Sequence, residues 1–414
     1  MYTEPRGPHA NTGQGREARE LIQRCVHCGF CLEACPTYRV LGDERDGPRG
    51  RIYLIKQMVE GGPAEAARQH LDRCLTCRAC EPACPSGVQY GRLLEIGREI
   101  VEDDRPAGER LRRKLLVRIL TSPGLFAALL GIGRAVRPVL PGALAATIPP
   151  GGPAKAWPTA RHGRRMAVLD GCVQAAIAPG INAAAARVLD RLGISLVRVP
   201  DAACCGALAH HLGDEAGALA AAQRTLNACT AALDAGCEAI VSTASGCGVM
   251  VKDYGQLLRS SPVLAAKAHR VATATRDISE AIDAASVARL CPGSIALPRI
   301  AFQSPCTLQH GQRLAGRVES LLEAVGYRLV PVEDAEQCCG SAGGHSILKP
   351  GLARELRARK LAALLESDPA AIATANVGCL AHLGAASPVP VRHWIELVDA
   401  ALAAPVARPA SSGT

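Results

Sequence analysis

Eight cysteines in the first quarter of the chain form two copies of one spacing. Cys25, Cys28, Cys31 and Cys35 precede Pro36, and Cys74, Cys77, Cys80 and Cys84 precede Pro85; each run reads C-x2-C-x2-C-x3-C-P. That spacing wraps three thiolates around a cubane iron–sulfur cluster and lends the fourth to a neighbouring cluster. Crosswise sharing places Cys25, Cys28, Cys31 and Cys84 on one 4Fe-4S cluster, and Cys74, Cys77, Cys80 and Cys35 on a second. Shared ligands hold the two cages close together, as one-electron transfer between them requires. Pro36 and Pro85 turn the chain after the fourth cysteine and bring no competing N–H. Zinc fingers use paired C-x2-4-C halves instead of this quartet.

Eight further cysteines expose an internal repeat. Cys172, the pair Cys204-Cys205 before Gly206, and Cys247 recur as Cys306, the pair Cys338-Cys339 before Gly340, and Cys379. The first cysteine and the pair each recur 134 positions on, and the last 132 positions on, which duplication explains. The sets Cys172, Cys204, Cys205, Cys247 and Cys306, Cys338, Cys339, Cys379 are each candidates for a further iron–sulfur cluster, a zinc ion or a redox-active disulfide. Cys229, Cys237 and Cys291 have no counterpart in the other copy and read as small buried hydrophobes. His210 and His211 follow the first Cys pair and His345 the second, as metal or proton candidates or as satisfied structural histidines. Arg45, Arg49 and Arg51 are placed either to offset cluster charge or to salt-bridge locally.

Strands and helices must hold these groups. Residues 166–169, 194–199 and 239–243 read as strands stopping just short of Cys172, the Cys204-Cys205 pair and Cys247, with helices over 183–192 and 215–233 between them. In the second copy 299–302, 327–332 and 371–374 stand in the same relation to Cys306, Cys338-Cys339 and Cys379. Alternating strands and helices predict a parallel sheet in each copy, with ligands beyond the carboxyl ends of its strands. The first block lacks strand alternation and reads as helical. Gly47-Pro48-Arg49-Gly50 marks a turn before a helix over 52–59, and Ser86 is a candidate cap for the helix carrying Leu93, Leu94, Ile96, Ile100 and Val101. The expected organisation is a two-cluster helical domain over 16–104, a connector over 105–163, and duplicated α/β domains over 164–258 and 298–403. Pro149-Pro150-Gly151-Gly152-Pro153 marks the linker.

The 414 residues carry a formal charge of +9 and only 3% aromatic side chains, so nucleic-acid binding on stacking platforms is not expected. Residues 1–20 are polar and charged, without the apolar run of a secretory signal, and thiol ligands of this kind suit a reducing compartment. The best apolar stretch, 115–133, is broken by Arg118 and Ser122-Pro123-Gly124, too short a run to span a bilayer. Between Arg105 and Arg137 eight Lys/Arg face one acidic residue, Glu109, which suits either a solvated connector or contact with anionic lipid or a partner. No strand–GxGxxG–helix unit is present, so flavin or nicotinamide chemistry is expected on another chain.

The double quartet followed by two Cys…CCG…Cys repeats resembles the iron–sulfur subunits of membrane-associated respiratory dehydrogenases. Cys28-Gly29-Phe30-Cys31, Asp46-Gly47-Pro48-Arg49-Gly50-Arg51-Ile52-Tyr53, His70-Leu71-Asp72-Arg73-Cys74, Ser86-Gly87-Val88-Gln89-Tyr90 and Ala244-Ser245-Gly246-Cys247 look like the glycolate oxidase iron–sulfur subunits in particular. The resemblance implies a multidomain α+β chain: an all-helical ferredoxin domain with two 4Fe-4S clusters, then two cysteine-rich CCG domains. It further implies electron transfer from a FAD-bearing subunit that oxidises glycolate to glyoxylate, towards the quinone pool, on the cytoplasmic face of the inner membrane. Lactate and anaerobic glycerol-3-phosphate dehydrogenases have similar relay subunits. Heterodisulfide reductases end each CCG repeat in C-x2-C, where this chain has Ala244 and Asn376; each repeat lacks one thiolate of that pattern.

Overall fold

The computed structural model describes residues 1–145, 148–149, 156–199, 202, 204–259, 261–291 and 297–403. Of the Pro/Gly run expected as a linker, residues 149–153, all but Pro149 lie outside the described residues.

Residues 1–104 contain only helical elements, chiefly Gly13–Gln23, Pro36–Leu41, Pro48–Val59, Glu65–Arg73 and Tyr90–Asp103. Ile22, Ile55, Met58, Leu71, Leu93, Leu94 and Ile96 fill their common core. Gly97 lets two helices touch, because a Cβ there would sit 2.7 Å from Ile55 Cγ1. Two local expectations are corrected. Pro48 opens the helix that was expected to begin at Ile52, since its fixed φ suits the first helical turn. Ser86 caps nothing: Gly87 turns the chain with φ +62°, and the helix starts at Tyr90. Its free Gly91 N–H is taken by the Glu81 carboxylate at 2.8 Å, from outside the helix.

The repeat builds two parallel four-stranded sheets of one topology. The first contains β1 (Arg164–Val168), β2 (Ile194–Arg198), β3 (Ile240–Ser242) and β4 (Thr275–Asp277) in the order β2-β1-β3-β4. The second contains β5 (Arg299–Gln303), β6 (Arg328–Leu329), β7 (Ala371–Thr374) and β8 (Val391–His393) in the order β6-β5-β7-β8. Six of these match expected strands; β6 is shorter than the 327–332 read from the sequence. The outer strands β4 and β8 were not expected. β4 pairs with β3 at Ile240↔Thr275 and Ser242↔Asp277, so the first sheet draws on chain beyond residue 258, where that unit was expected to end.

The two sheets do not stand apart. One core runs through both repeats, from Met166, Val168 and Leu196 to Ile300, Phe302 and the fully buried Trp394. The helix Gly180–Arg191 of the first repeat packs on Trp394–Ala403 of the second, locked by Arg187 on the buried Asp399 at 2.6 Å. His393 Nε2 meets the Thr243 carbonyl at 2.9 Å, and the Ser245 and Thr307 hydroxyls meet at 2.7 Å. Each short sheet thus covers one apolar face with the other repeat and the opposite face with its own helices, the two-sided cover that small parallel sheets need.

Candidate metal centres

Backbone curvature sets up the N-terminal thiols. His27 and Thr76, at matching places before the second cysteine of each run, have φ +55°. The residues after that cysteine, Gly29 and Arg78, have φ +88° and +59°. A left-handed residue other than glycine costs about 1–2 kcal/mol, yet the same three non-glycine positions accept it. Left-handed residues in such turns build the concave amide arrangement that suits an anionic group, and backbone N–H groups of Cys31 and Arg49 meet the Cys31 thiol and that of Ala79 the Cys77 thiol.

The structure brings the first expected set together: Cys25, Cys28, Cys31 and Cys84 line one hollow, with Pro48, Ile52, Val88 and Tyr90 in its wall and Cys80 of the second set at its edge. Burial, followed by the neighbouring Cys25, pushes the Cys31 thiol up to about 11. The second set also converges. Burial raises Cys77 and Cys80 well above the ordinary thiol range, and Cys74 and Cys35 add to both. Thiols so crowded and dry resist becoming anionic together unless a metal centre compensates them. Soft sulfur donors, an apolar wall and inward amides are what an iron–sulfur cubane needs, so both sets fit that group.

The three arginines separate by role. Arg45 pairs only with Asp43 on the surface. Arg49 ties Glu44 at 2.5 Å to the His27 carbonyl at 3.2 Å and so braces the first cysteine loop. Arg51 is 1% exposed; its guanidinium holds the His70 carbonyl at 2.8 Å, Thr37 Oγ1 at 3.0 Å and Cys35 Sγ at 3.9 Å. Asp46, fully buried, anchors Arg51, His70 and Arg73 at 3.5, 3.0 and 2.7 Å. A buried cation therefore rests against the second thiol set.

In the repeats every expected cysteine lies past a strand end, and each copy gathers its four. Cys306 and Cys338 sulfurs are 3.9 Å apart, and Cys339 and Cys379 sulfurs 3.3 Å. In the first copy Cys172 and Cys205 both turn their thiols towards Cys204, and Cys205 also neighbours Cys247. The matching glycines, Gly206 and Gly340, have φ +85° and +88° and aim their N–H at Cys204 and Cys338 at 3.4 and 3.5 Å. A side chain there would also strike the carbonyls of Ala218 and Ala353. Asn376 stands in the second copy with Nδ2 3.6 Å from Cys379 Sγ. The first copy has only the Ala244 methyl at the equivalent place, so the two sites differ in donor set.

One juxtaposition could not be read from spacing. Cys77 of the second N-terminal set lies beside Cys306 and Cys338, and Leu75, Leu356 and Val40 pack around them. The N-terminal unit is pinned over both repeats by Arg39–Asp334 at 2.6 Å, Arg78–Asp253 at 2.7 Å and Glu17–Arg259 at 2.5 Å. His210 belongs to the same seam: it bonds Glu95 at 3.1 Å. Burial drives His211 down to about 3 and His345 down to about 4, each facing Arg98. Cys229 is fully buried in apolar surroundings, which push it up to about 12, and Cys237 is nearly so.

Comparison with known proteins agrees with this anatomy. Residues 21–88 match the 4Fe-4S dicluster domain, and residues 166–252 and 300–384 each match the cysteine-rich domain. The chain is 48% identical to the glycolate oxidase iron-sulfur subunit of Escherichia coli over 97% of its own length and 99% of that protein. It is 30% identical to the probable glycolate oxidase iron-sulfur subunit of Bacillus subtilis, covering 87% of this chain and 88% of the other. Lactate utilization protein A of Bacillus pumilus is 26% identical over 55% of this chain. Helical dicluster domain, duplicated cysteine-rich domains and near-complete alignment together place this chain in the family of glycolate oxidase iron–sulfur subunits, with an iron–sulfur electron-transfer role.

Proposed function

We propose that the chain is the electron-transfer subunit of a glycolate dehydrogenase complex. It takes electrons from a FAD-bearing partner that oxidises glycolate to glyoxylate and passes them towards the membrane quinone pool, on the cytoplasmic face of the inner membrane. Two clusters are assigned, one to Cys25, Cys28, Cys31 and Cys84, the other to Cys74, Cys77, Cys80 and Cys35. When bound, an iron–sulfur cubane supplies reversible one-electron chemistry. The chain's own part is to hold thiolates, exclude water and set charge around them. The observation that carries the reading is that the thiol sets are neighbours in turn: Cys80 of the second set borders the hollow of the first, and Cys77 lies beside Cys80, Cys306 and Cys338. Such a run suits a relay better than isolated structural sites.

The repeat thiols are further candidate sites for a cluster or zinc. A relay for lactate is the second reading, favoured by the resemblance to lactate utilization protein A over half the chain. Catalytic disulfide reduction is disfavoured by Ala244 and Asn376.

The test is substrate-driven reduction of the anaerobic complex with its flavoprotein. Glycolate is expected to bleach the visible iron–sulfur absorption and raise the reduced-cluster EPR signal. Lactate and glycerol 3-phosphate are expected to do so more slowly. Reduction by lactate alone would move the assignment to the second reading, and no reduction by any of the three would end the relay proposal.

A further inference from the structure

Among the described residues, exposed apolar side chains concentrate on the helices Ala107–Thr121 and Pro123–Val136. Seven of the fifteen large apolar side chains exposed among the described residues lie between Leu111 and Val139, so the patch is concentrated where scattered residues would be ordinary. In the second helix Leu125, Leu129, Ile132 and Val136 recur at i, i+4, i+7 and i+11, forming one stripe, and all four are exposed. No residue of that helix is buried.

The first helix fixes the patch in place. Its Val117 is buried against Ala209, Leu212 and Ala218 of the first repeat, and Arg113 reaches Asp72 of the N-terminal unit at 2.6 Å. The opposite face carries Leu111, which is 68% exposed, and Leu115. Arg112, Lys114 and Arg118 flank these leucines at helical spacing. The nearby carboxylates are taken, Asp72 by Arg105 and Arg113 and Glu109 by Arg105. The three flanking bases therefore have no ion-pair partner among the described residues.

The helices, of 15 and 14 residues, meet at 90°. At 1.5 Å per residue each is about 22 Å long, short of the roughly 30 Å hydrocarbon core of a bilayer. An apolar stripe framed by unpaired bases, on legs too short to cross, has the make-up of an interfacial element lying in the plane of an anionic surface.

We propose that this bent helix pair docks the protein on anionic lipid, with Leu125, Leu129, Ile132 and Val136 at the acyl boundary and Arg112, Lys114 and Arg118 among the headgroups. Charge complementarity selects lipid as the occupant: three unpaired positive charges beside the leucines suit a sheet of phosphates. The proposal rests on the membrane-peripheral reading above and supplies its contact surface.

The test is flotation of the full anaerobically prepared chain with vesicles of phosphatidylcholine alone or mixed with phosphatidylglycerol. The native chain is expected to float with the mixed vesicles, and less so as salt rises. The triple variant R112E/K114E/R118E is expected to lose about fivefold or more in partitioning per reversed charge. L129E/I132E is expected to lose flotation altogether. Unchanged iron content and visible spectrum show that the variants fold, since none of these residues lines a thiol site. Failure of the native chain to float, or flotation of both variants like the native chain, overturns the proposal. So does loss of flavoprotein binding in L129E/I132E without any native flotation, which would make the patch a protein interface. Cell fractionation of the assembled complex separates the two readings. Native complex in the soluble fraction sinks the peripheral location, whereas membrane-bound complex with both variants sinks only this surface.

Discussion

Replacing Arg51 by Met removes a buried positive charge that lies 3.9 Å from Cys35 Sγ and 3.5 Å from Asp46. Two consequences can be separated. Breaking a buried ion pair while leaving its carboxylate in place costs about 3–5 kcal/mol; Asp46 keeps His70 and Arg73, which points to the lower end. The second consequence is electrostatic. A full charge at 3.9 Å interacts with the guanidinium by about 4 kcal/mol at an effective dielectric of about 20. If one added electron places about a quarter of its charge on each of four sulfur ligands, Cys35 alone contributes about 1 kcal/mol, or about 45 mV for a one-electron couple. Removing a cation disfavours the more negative, reduced state, so the potential falls. Redox titration followed by EPR on anaerobic protein is expected to show one cluster shifted negative by at least about 45 mV, and the other changed much less. Arg51→Lys keeps the charge and is expected to keep most of the potential while losing stability through the lost His70 and Thr37 hydrogen bonds. A folded Arg51→Met protein whose two potentials match the native ones would refute the claim that this arginine acts on the second thiol set.

The crosswise ligand sets predict that Cys84→Ala abolishes the same EPR signal as Cys25→Ala and lowers iron from about eight towards about four per chain, while Cys35→Ala shares its loss with Cys74→Ala. Loss of the Cys74 signal in Cys84→Ala would show that each run keeps its own fourth cysteine. Burial alone would raise Glu95, but the His210 and Arg92 hydrogen bonds hold its carboxyl at about 2, below the ordinary 4.5. Its contribution is therefore complete above about pH 4.5 and lost as pH falls towards about 2, on the order of 3 kcal/mol in all. Chemical denaturation across that range is expected to show Glu95→Gln less stable at pH 6 and with a flatter acid limb; an unchanged limb would count against the seam between the helical unit and the first repeat.

The chemistry of the chain was legible before its shape. Short C-x2-C-x2-C loops force three thiolates together by local geometry alone, and the 134-residue recurrence exposed the duplicated sheets because each cysteine follows an apolar strand. The missed elements had no such local signal. Thr275–Asp277 and Val391–His393 are three-residue edges, too short for alternation to register; they become strands because β3 and β7 offer free backbone groups beside them. Ser86 had the right residue type for a cap, yet Gly87 turns the chain away and a distant carboxylate, Glu81, takes the free amide.

Residue types and spacing along the chain thus determined the thiol sets, the helical first unit and the repeated parallel sheets, since all of these arise from contacts a few residues apart or from strand ends fixed by apolar runs. Only the tertiary structure decided which sets are neighbours. The placement of Cys77 against Cys306 and Cys338, the burial of Arg51 beside Cys35, and the shared core around Trp394 join segments tens to hundreds of residues apart. Such meetings depend on how whole helices and sheets cover one another's apolar faces, a choice made by packing across the assembled molecule.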